Sequence, residues 1–293
     1  MNKVPYNKLL IIIVTIIISL IYYNYANSTT VVGVAVPEGI VLAGDSRVTF
    51  VSNSIIRIAS DRAQKVFQLN KNTGAVSYGA AILLDKNINS LIEEFKAKNP
   101  KIDTLPVDII VKELKTYFDD IYRKQLARYP NIAIDQLGFM VAGYDENGNG
   151  KLLAFSVPNG IIEGGLSTNG SFGASWHGQT DVIVRLIQGC CPELANKINQ
   201  NINSSELKPE SKINPFQFEY IMNFNYMTIQ DAIDFADFLI RTTIETQRFS
   251  YFTMSSSTTI SSVTIPGVGG QIDIAVITPT GFKWIRKKEI HAP

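Results

Sequence analysis

A chain of 293 residues, 45% hydrophobic and 18% charged, is long enough to bury one large core or two modest ones. Its formal net charge of +1, with no long run of one sign, argues against nucleic acid or an anionic membrane surface as partner. The adjacent Cys190 and Cys191 make neither a disulfide framework nor a paired CxxC zinc site, and His177 and His291 are too few for a histidine-rich metal centre.

Lys3 and Lys8 precede an apolar run, residues 9–23, interrupted only by Thr15 and Ser19. It is shorter than the roughly 20 residues a membrane span needs. It fits the core of a signal peptide with a basic front, and Ala26 and Ser28 supply the small-x-small pattern of a cleavage site. A cut after Ser28 leaves Thr29 as the first residue. The alternative is an uncleaved anchor that touches the membrane through residues 9–23. Residues 1–28 are therefore read as a leader, and the protein as exported (periplasmic or extracellular) or membrane-anchored.

From residue 29 onward the sequence has no internal repeat and no clear linker, so 29–293 is taken as one domain. Residues 30–36 and 40–44 are apolar at nearly every position, which marks strands buried on both faces around the turn Pro37-Glu38-Gly39. Residues 65–69 and 75–78 form a second hairpin across Asn70-Lys71-Asn72-Thr73-Gly74. The period then changes. Ile88, Leu91, Ile92 and Phe95 predict one helix; Val107, Ile110, Val111, Leu114, Phe118 and Ile121 predict a longer one, with Pro106 near its first turn. A third hairpin pairs 137–144 with 151–157, and a helix is expected over about 177–189. Residues 204–227 are polar and Pro-interrupted, and read as a loop or insertion. Thr228, with Asp231 three residues on, caps a helix carrying Ile229, Ala232, Ile233, Ala236, Leu239 and Ile244. Residues 249–270 are rich in Ser, Thr and Gly. A last hairpin joins 271–278 to 282–286. Doubly buried strands with helices in two batches imply two stacked sheets flanked by helix layers.

Two motifs have ordinary explanations. Asp145-x-Asn147-x-Asn149-Gly150 looks like the start of a calcium loop, but its twelfth position is Ser156 and its flanks are strands, so it reads as a polar turn. Gly173-Ala174-Ser175-Trp176-His177 nearly matches a nucleophile elbow, with His where the last Gly belongs. Ser175 is read as a helix N-cap, with a Ser175–His177 serine hydrolase as the weaker option.

The remaining constellation is Thr29-Thr30, Gly39-Ile40-Val41-Leu42-Ala43-Gly44-Asp45-Ser46-Arg47-Val48-Thr49, Ala59-Ser60-Asp61-Arg62-Ala63-Gln64-Lys65-Val66, and Tyr78-Gly79-Ala80-Ala81. It resembles the catalytic β-subunits of the proteasome and their simpler bacterial relative, threonine peptidases of the N-terminal-nucleophile hydrolase class. Spacing from Thr29 to Asp45 and from Lys65 to Gly79 matches without a gap, whereas the stretch between Thr49 and Ala59 is longer by a few residues. The match covers about 29–85. It implies an α+β fold of four layers, αββα, with two mainly antiparallel sheets between helices. It further implies a peptide or protein substrate, self-assembly into homo-oligomeric rings, and no metal or organic cofactor.

The resemblance also assigns roles. Thr29 becomes nucleophile, with its own α-amine as base. A threonine hydroxyl is a poor nucleophile at neutral pH without such a base. An α-amine titrates near 7.7–8.0, and the ammonium of Lys65 pushes it lower. Asp45 holds Lys65, the Gly79 N–H faces the oxyanion, and Thr49 binds substrate backbone as an added strand. Val48, Ala63 and Ser77 line the specificity pocket by the same analogy, and their small size points to an uncharged substrate residue. The sequence departs from the family late. Where the family has Asp followed by Ser-Gly-Gly, here stands Pro266-Gly267-Val268-Gly269-Gly270. Where it has Gly-Ser-Gly before the third helix, here stands Gly173-Ala174-Ser175. These departures leave a catalytically inactive scaffold or binding subunit of the same fold as the rival expectation.

Overall fold

The computed structural model describes residues 23–24, 29–52, 55–130, 134–158, 160–189, 196, 199–200, 219–250 and 266–289. The leader, apart from Tyr23 and Asn24, lies outside the described residues, as do most of the expected 204–227 loop and most of the Ser/Thr-rich stretch. Among the described residues no helix is long and apolar enough to cross a membrane.

Strands β2 (Thr30–Val36) and β3 (Gly39–Gly44) are buried at every residue. Alternate side chains leave a strand on opposite faces, so each face needs its own cover. Val32, Val34, Val36, Val41 and Ala43 meet helices, whereas Val31, Ala35, Ile40 and Leu42 meet a second sheet. Beyond them come β4 (Val48–Ser52), β5 (Ile55–Ser60), β6 (Val66–Asn70) and β7 (Thr73–Gly79). A small hairpin, β8 (Ile82–Leu83) and β9 (Lys86–Asn87), leads into α1 (Ile88–Lys98), followed by α2 (Val107–Arg128). The chain continues through β10 (Leu137–Tyr144), β11 (Gly150–Val157), β12 (Glu163–Ser167), β13 (Gly173–Gly178), α3 (Asp181–Gln188), α4 (Ile229–Phe249), β14 (Asp273–Thr278) and β15 (Gly281–Arg286).

One antiparallel sheet has the order β13-β2-β3-β14-β15, and the other β12-β11-β10-β7-β6. Helices α3 and α4 cover the first, burying Ile183, Ile187, Ala232, Ala236, Leu239 and Ile240. Helices α1 and α2 cover the second, burying Leu91, Ile92, Phe95, Ile110, Leu114 and Phe118. Between the sheets lie Val31, Leu42, Val76, Met140, Leu152 and Ala275. The class is α+β, with antiparallel sheets as expected. Thr228 caps α4 through a reciprocal box with Asp231, also as expected.

The expected helix over 177–189 is corrected. Residues 173–178 are a strand paired antiparallel with β2, and the helix begins only at Asp181. Ser175 therefore caps nothing: it stands on a strand opposite Gly33. The edge of a sheet whose neighbour is doubly buried accepts any extended partner, and that tertiary pairing decided the local conformation. Strands β4, β5 and β12 and the β8–β9 hairpin are additions to the sequence reading. Asp145 forms the expected polar turn, its Oδ1 accepting from the N–H groups of Asn147 and Asn149 at 2.9 Å each. The leader pair Tyr23–Asn24, β1, runs antiparallel to β4.

Candidate active site

The chain leaves β3 at Gly44 and turns, which puts Asp45 at the sheet's end with a fully buried side chain. A buried carboxylate is costly unless its oxygens find donors. Here Oδ1 accepts from Lys65 Nζ at 2.8 Å and from the Thr30 N–H at 3.0 Å. Oδ2 accepts from the N–H groups of Arg47 at 3.1 Å and Gly269 at 3.0 Å. These donors fill the roughly four acceptor positions a carboxylate offers. Asp45 thereby ties the start of β2, the lysine and the loop before β14 to one point.

Lys65 immediately precedes β6 and is itself buried. Burial pulls its pKa below the ordinary 10.5, and Lys288 and Arg47 push the same way, while Asp45 opposes. Arg47 makes a two-pronged pair with Asp61, Nε to Oδ1 at 2.6 Å and Nη2 to Oδ2 at 2.9 Å, and donates to the Pro266 carbonyl at 3.1 Å. This pairing raises the Arg47 pKa and lowers that of Asp61.

Thr29 precedes β2 and is only 4% exposed. Its carbonyl accepts from the Gln179 N–H at 2.7 Å, and the Thr30 hydroxyl donates to the Gln179 carbonyl at 2.7 Å. Gly178 lies against the same carbonyl with φ of +89°, and a Cβ there would sit 1.9 Å from the Thr29 oxygen. Only glycine fits. Gly79 repeats the situation with φ of +88°, where a Cβ would sit 1.9 Å from the Gln136 carbonyl oxygen.

Thr29, Lys65 and Gly79 line one cavity of about 430 Å³. Val48, Thr49, Ala63 and Ser77 line it too. Asp45 stands behind Lys65 and is not part of the lining. The cavity is further walled by Ile82 and Asn87 of the β8–β9 hairpin, which the sequence reading did not contain. Among the described residues no three His, Cys, Asp or Glu side chains converge as metal ligands would.

Ser175 and His177 are not among the lining residues. Ser175 Oγ lies 3.3 Å from His177 Nε2, and the imidazole stacks on Tyr78 with centroids 4.6 Å apart and planes 7° from parallel. Burial lowers the His177 pKa. The residues that abut Thr29 are Gly178 and Gln179, not Ser175.

Sequence reasoning missed a chain of amides. Gln247 Nε2 donates to Gln179 Oε1 at 2.7 Å, and Gln247 Oε1 accepts from the Val268 N–H at 2.9 Å. This chain links α4, the end of β13 and the loop that reaches Asp45. The signal was present, because Thr243 and Gln247 continue the buried stripe of Ala236, Leu239 and Ile240. A polar residue on an apolar stripe demands a partner.

No curated protein matches the chain. Residues 25–165 match the model of the family described as proteasome subunit, and over that stretch the chain is proteasome-like, as its motifs resemble.

Proposed function

We propose that this protein is a threonine-type N-terminal-nucleophile peptidase with a four-layer αββα fold. The observation that carries the reading is Thr29 facing the same cavity as Lys65 and Gly79, with Asp45 saturated behind the lysine. The match to the proteasome subunit family supports it. Cleavage between Ser28 and Thr29 frees the α-amine. That amine takes the proton from the Thr29 hydroxyl as Oγ attacks the substrate amide carbonyl. The Gly79 N–H stabilises the oxyanion. Collapse expels the amine of the leaving fragment with the proton and leaves an ester on Thr29, which water hydrolyses. Val48, Ala63 and Ser77 leave room for a small or apolar substrate residue. Thr49 offers backbone for an extended peptide. Assembly into rings belongs to the same reading, as does export or anchoring through the leader.

A second reading is a ring scaffold without catalysis. It is favoured by Val268 standing before Gly269-Gly270 where the family has Ser, and by Gln179 standing against Thr29. One experiment separates them. The N-terminus of the purified native protein is sequenced, and peptide-amide hydrolysis is assayed for wild type and Thr29→Ala. The peptidase requires a mature chain starting at Thr29 and a loss in Thr29→Ala of at least about 10³. An N-terminus elsewhere, or equal rates, leaves the scaffold. Thr29→Ala also sorts the processing: self-cleavage stops without the hydroxyl, whereas a signal peptidase still cuts.

A further inference from the structure

Thr29 and Gly79 stand on different sheets. Thr29 leads into β2, whereas Gly79 ends β7. The space between them is therefore set by how closely the two sheets approach at this end. The buried side chains between the sheets, Val31, Leu42, Val76 and Leu152 among them, carry no ring. Beside the candidate site the contact is different in kind. Tyr78 of β7 and His177 of β13 stack from one sheet to the other, with ring centroids 4.6 Å apart and planes 7° from parallel. Each ring is one residue away from a part of the site. Tyr78 directly precedes Gly79. His177 directly precedes Gly178, whose backbone abuts the Thr29 carbonyl. Gln179 then donates its N–H to that carbonyl at 2.7 Å. Both rings are seated from behind. Tyr78 lies over its strand partner Gly138, where a Cβ would come within 2.1 Å of the Tyr78 Cζ. His177 pairs with Val31 of β2, and Ser175 Oγ lies 3.3 Å from its Nε2.

We propose that the Tyr78–His177 stack is a positioning pair: it sets the spacing of the two sheets at this end, and with it the distance from the Thr29 hydroxyl to the Gly79 N–H. Two parallel rings make a spacer of fixed thickness, because flat rings neither compress nor change rotamer length as aliphatic chains do. A parallel pair at this centroid distance is also favourable beyond the area it buries. Reaction geometry is sensitive to such spacing, since a misplacement of about 1 Å can cost about 10²-fold in rate. His177 is not among the cavity lining and acts through Gly178 and Gln179 on Thr29. Tyr78 acts through the adjoining Gly79. The Ser175–His177 contact then has a use that needs no nucleophile: it steadies the imidazole that faces Tyr78. The catalytic consequence rests on the peptidase reading, whereas the coupling between the sheets does not.

The test replaces His177 in the native protein and reads catalysis and backbone protection together. His177→Ala removes the ring; His177→Phe keeps a flat ring without a titratable nitrogen. For peptide-amide hydrolysis, kcat falls about three- to tenfold in His177→Ala with KM near that of wild type, the effect of one aromatic pair. His177→Phe restores kcat to within about twofold of wild type. If His177→Ala does not fold, His177→Leu fills the space without a ring and takes its place, with the same result expected. The second readout is amide hydrogen exchange at Ala80, whose N–H donates to the Gln136 carbonyl at 3.1 Å on the sheet opposite His177. Measured against the α2 amides around Leu114, Ala80 exchange quickens in His177→Ala and returns to the wild-type rate in His177→Phe. A merely local role for His177 leaves Ala80 unmoved, and that result overturns the proposal. So does a His177→Phe variant as slow as His177→Ala, or a change in KM alone. A wild-type protein that cleaves no peptide overturns the peptidase reading, and an Ala80 amide that still answers to His177 leaves the coupling standing.

Discussion

Asp45 and Asp273 solve one problem in two ways. Each is a buried carboxylate at the same sheet end, and each holds a buried lysine. Asp273 takes both donors from a single residue, Lys288, so it anchors one tail. Asp45 takes its donors from Thr30, Arg47, Lys65 and Gly269, four separate places in the sequence. The difference teaches what each carboxylate organises. Losing the Asp273 contacts releases an end of the chain, whereas losing those of Asp45 unties the start of β2, the lysine and the loop before β14 together. The first is a local event. The second strikes the geometry of the whole candidate site.

The sharpest way to break this comparison is to neutralise each carboxylate in turn. Removing one partner of a buried pair typically costs about 3–5 kcal/mol. Asp45→Asn is expected at or above the top of that range, and Asp273→Asn at or below its bottom. Urea denaturation of the two variants checks the order. Equal losses would mean that the extra donors on Asp45 carry no stability of their own. A smaller effect is expected from Gly178→Ala. The added Cβ must clear the Thr29 carbonyl from a backbone at φ of +89°, and strain of this kind costs about 1–3 kcal/mol. Relief of that clash displaces Thr29, so hydrolysis falls further than stability does. A variant that loses stability but keeps its rate would detach Gly178 from the site.

Asp135 sharpens the comparison from the other side, since among the described residues no cation forms an ion pair with it. Its Oδ2 is buried without a hydrogen-bond partner, and burial lifts its pKa from 3.8 to about 6. A folded-state pKa above the unfolded value means the fold prefers the protonated acid. Stability is therefore full below about pH 4 and declines as pH rises towards about 6. A shift of this size would correspond to about 3 kcal/mol. Asp135 keeps part of its surface in water, which reduces the figure to about 1–2 kcal/mol. Asp135→Asn should accordingly stabilise the protein at pH 7 by roughly 1 kcal/mol, and by nothing at pH 4. Thermal melts at the two pH values decide it. A destabilised Asp135→Asn would show that the carboxylate has a partner when ionised.

How much of this was legible in the sequence follows from what kind of group makes each contact. Thr29, Asp45, Lys65 and Gly79 stand out in the sequence because each is a distinctive residue, or in Gly79 one without a side chain, next to a strand, and the structure places Thr29, Lys65 and Gly79 around one cavity with Asp45 behind the lysine. The doubly buried strands fixed the sheets for the same reason. The contacts from beyond residue 165 were not readable, because most are made by backbone. Any residue at 269 other than proline offers an N–H to Asp45, and any at 179 offers one to Thr29. The sequence places the helix start near His177, inside what is the end of β13, because Gly173 to Gly178 carries no strong period. The pairing with β2 that settles the matter lies far away in sequence. The Gln179–Gln247 link lay between these cases. Gln247 stood out on its stripe, but nothing in the sequence named its partner.

The smallest effect should come from His177, which is half-buried and has no place in the cavity lining. Desolvation lowers its pKa below 6.5, while Glu163 pulls weakly the other way. Since the unfolded chain binds the proton more readily, folding stability declines as pH drops below about 6.5. His177→Gln removes that dependence. Its melting temperature should then change less between pH 7 and pH 5 than that of wild type. The amide also loses the stacking on Tyr78, worth about 0.5–1.5 kcal/mol, which sets the size of the uniform loss expected at pH 7. Peptide hydrolysis at pH 7 should fall less than about tenfold, because a true general base contributes 10²–10⁴. A larger loss would move the proton-accepting role from Thr29's own amine to His177, with Ser175 as the hydroxyl it serves. The Asp45–Lys65 pair would then be scaffolding and not machinery.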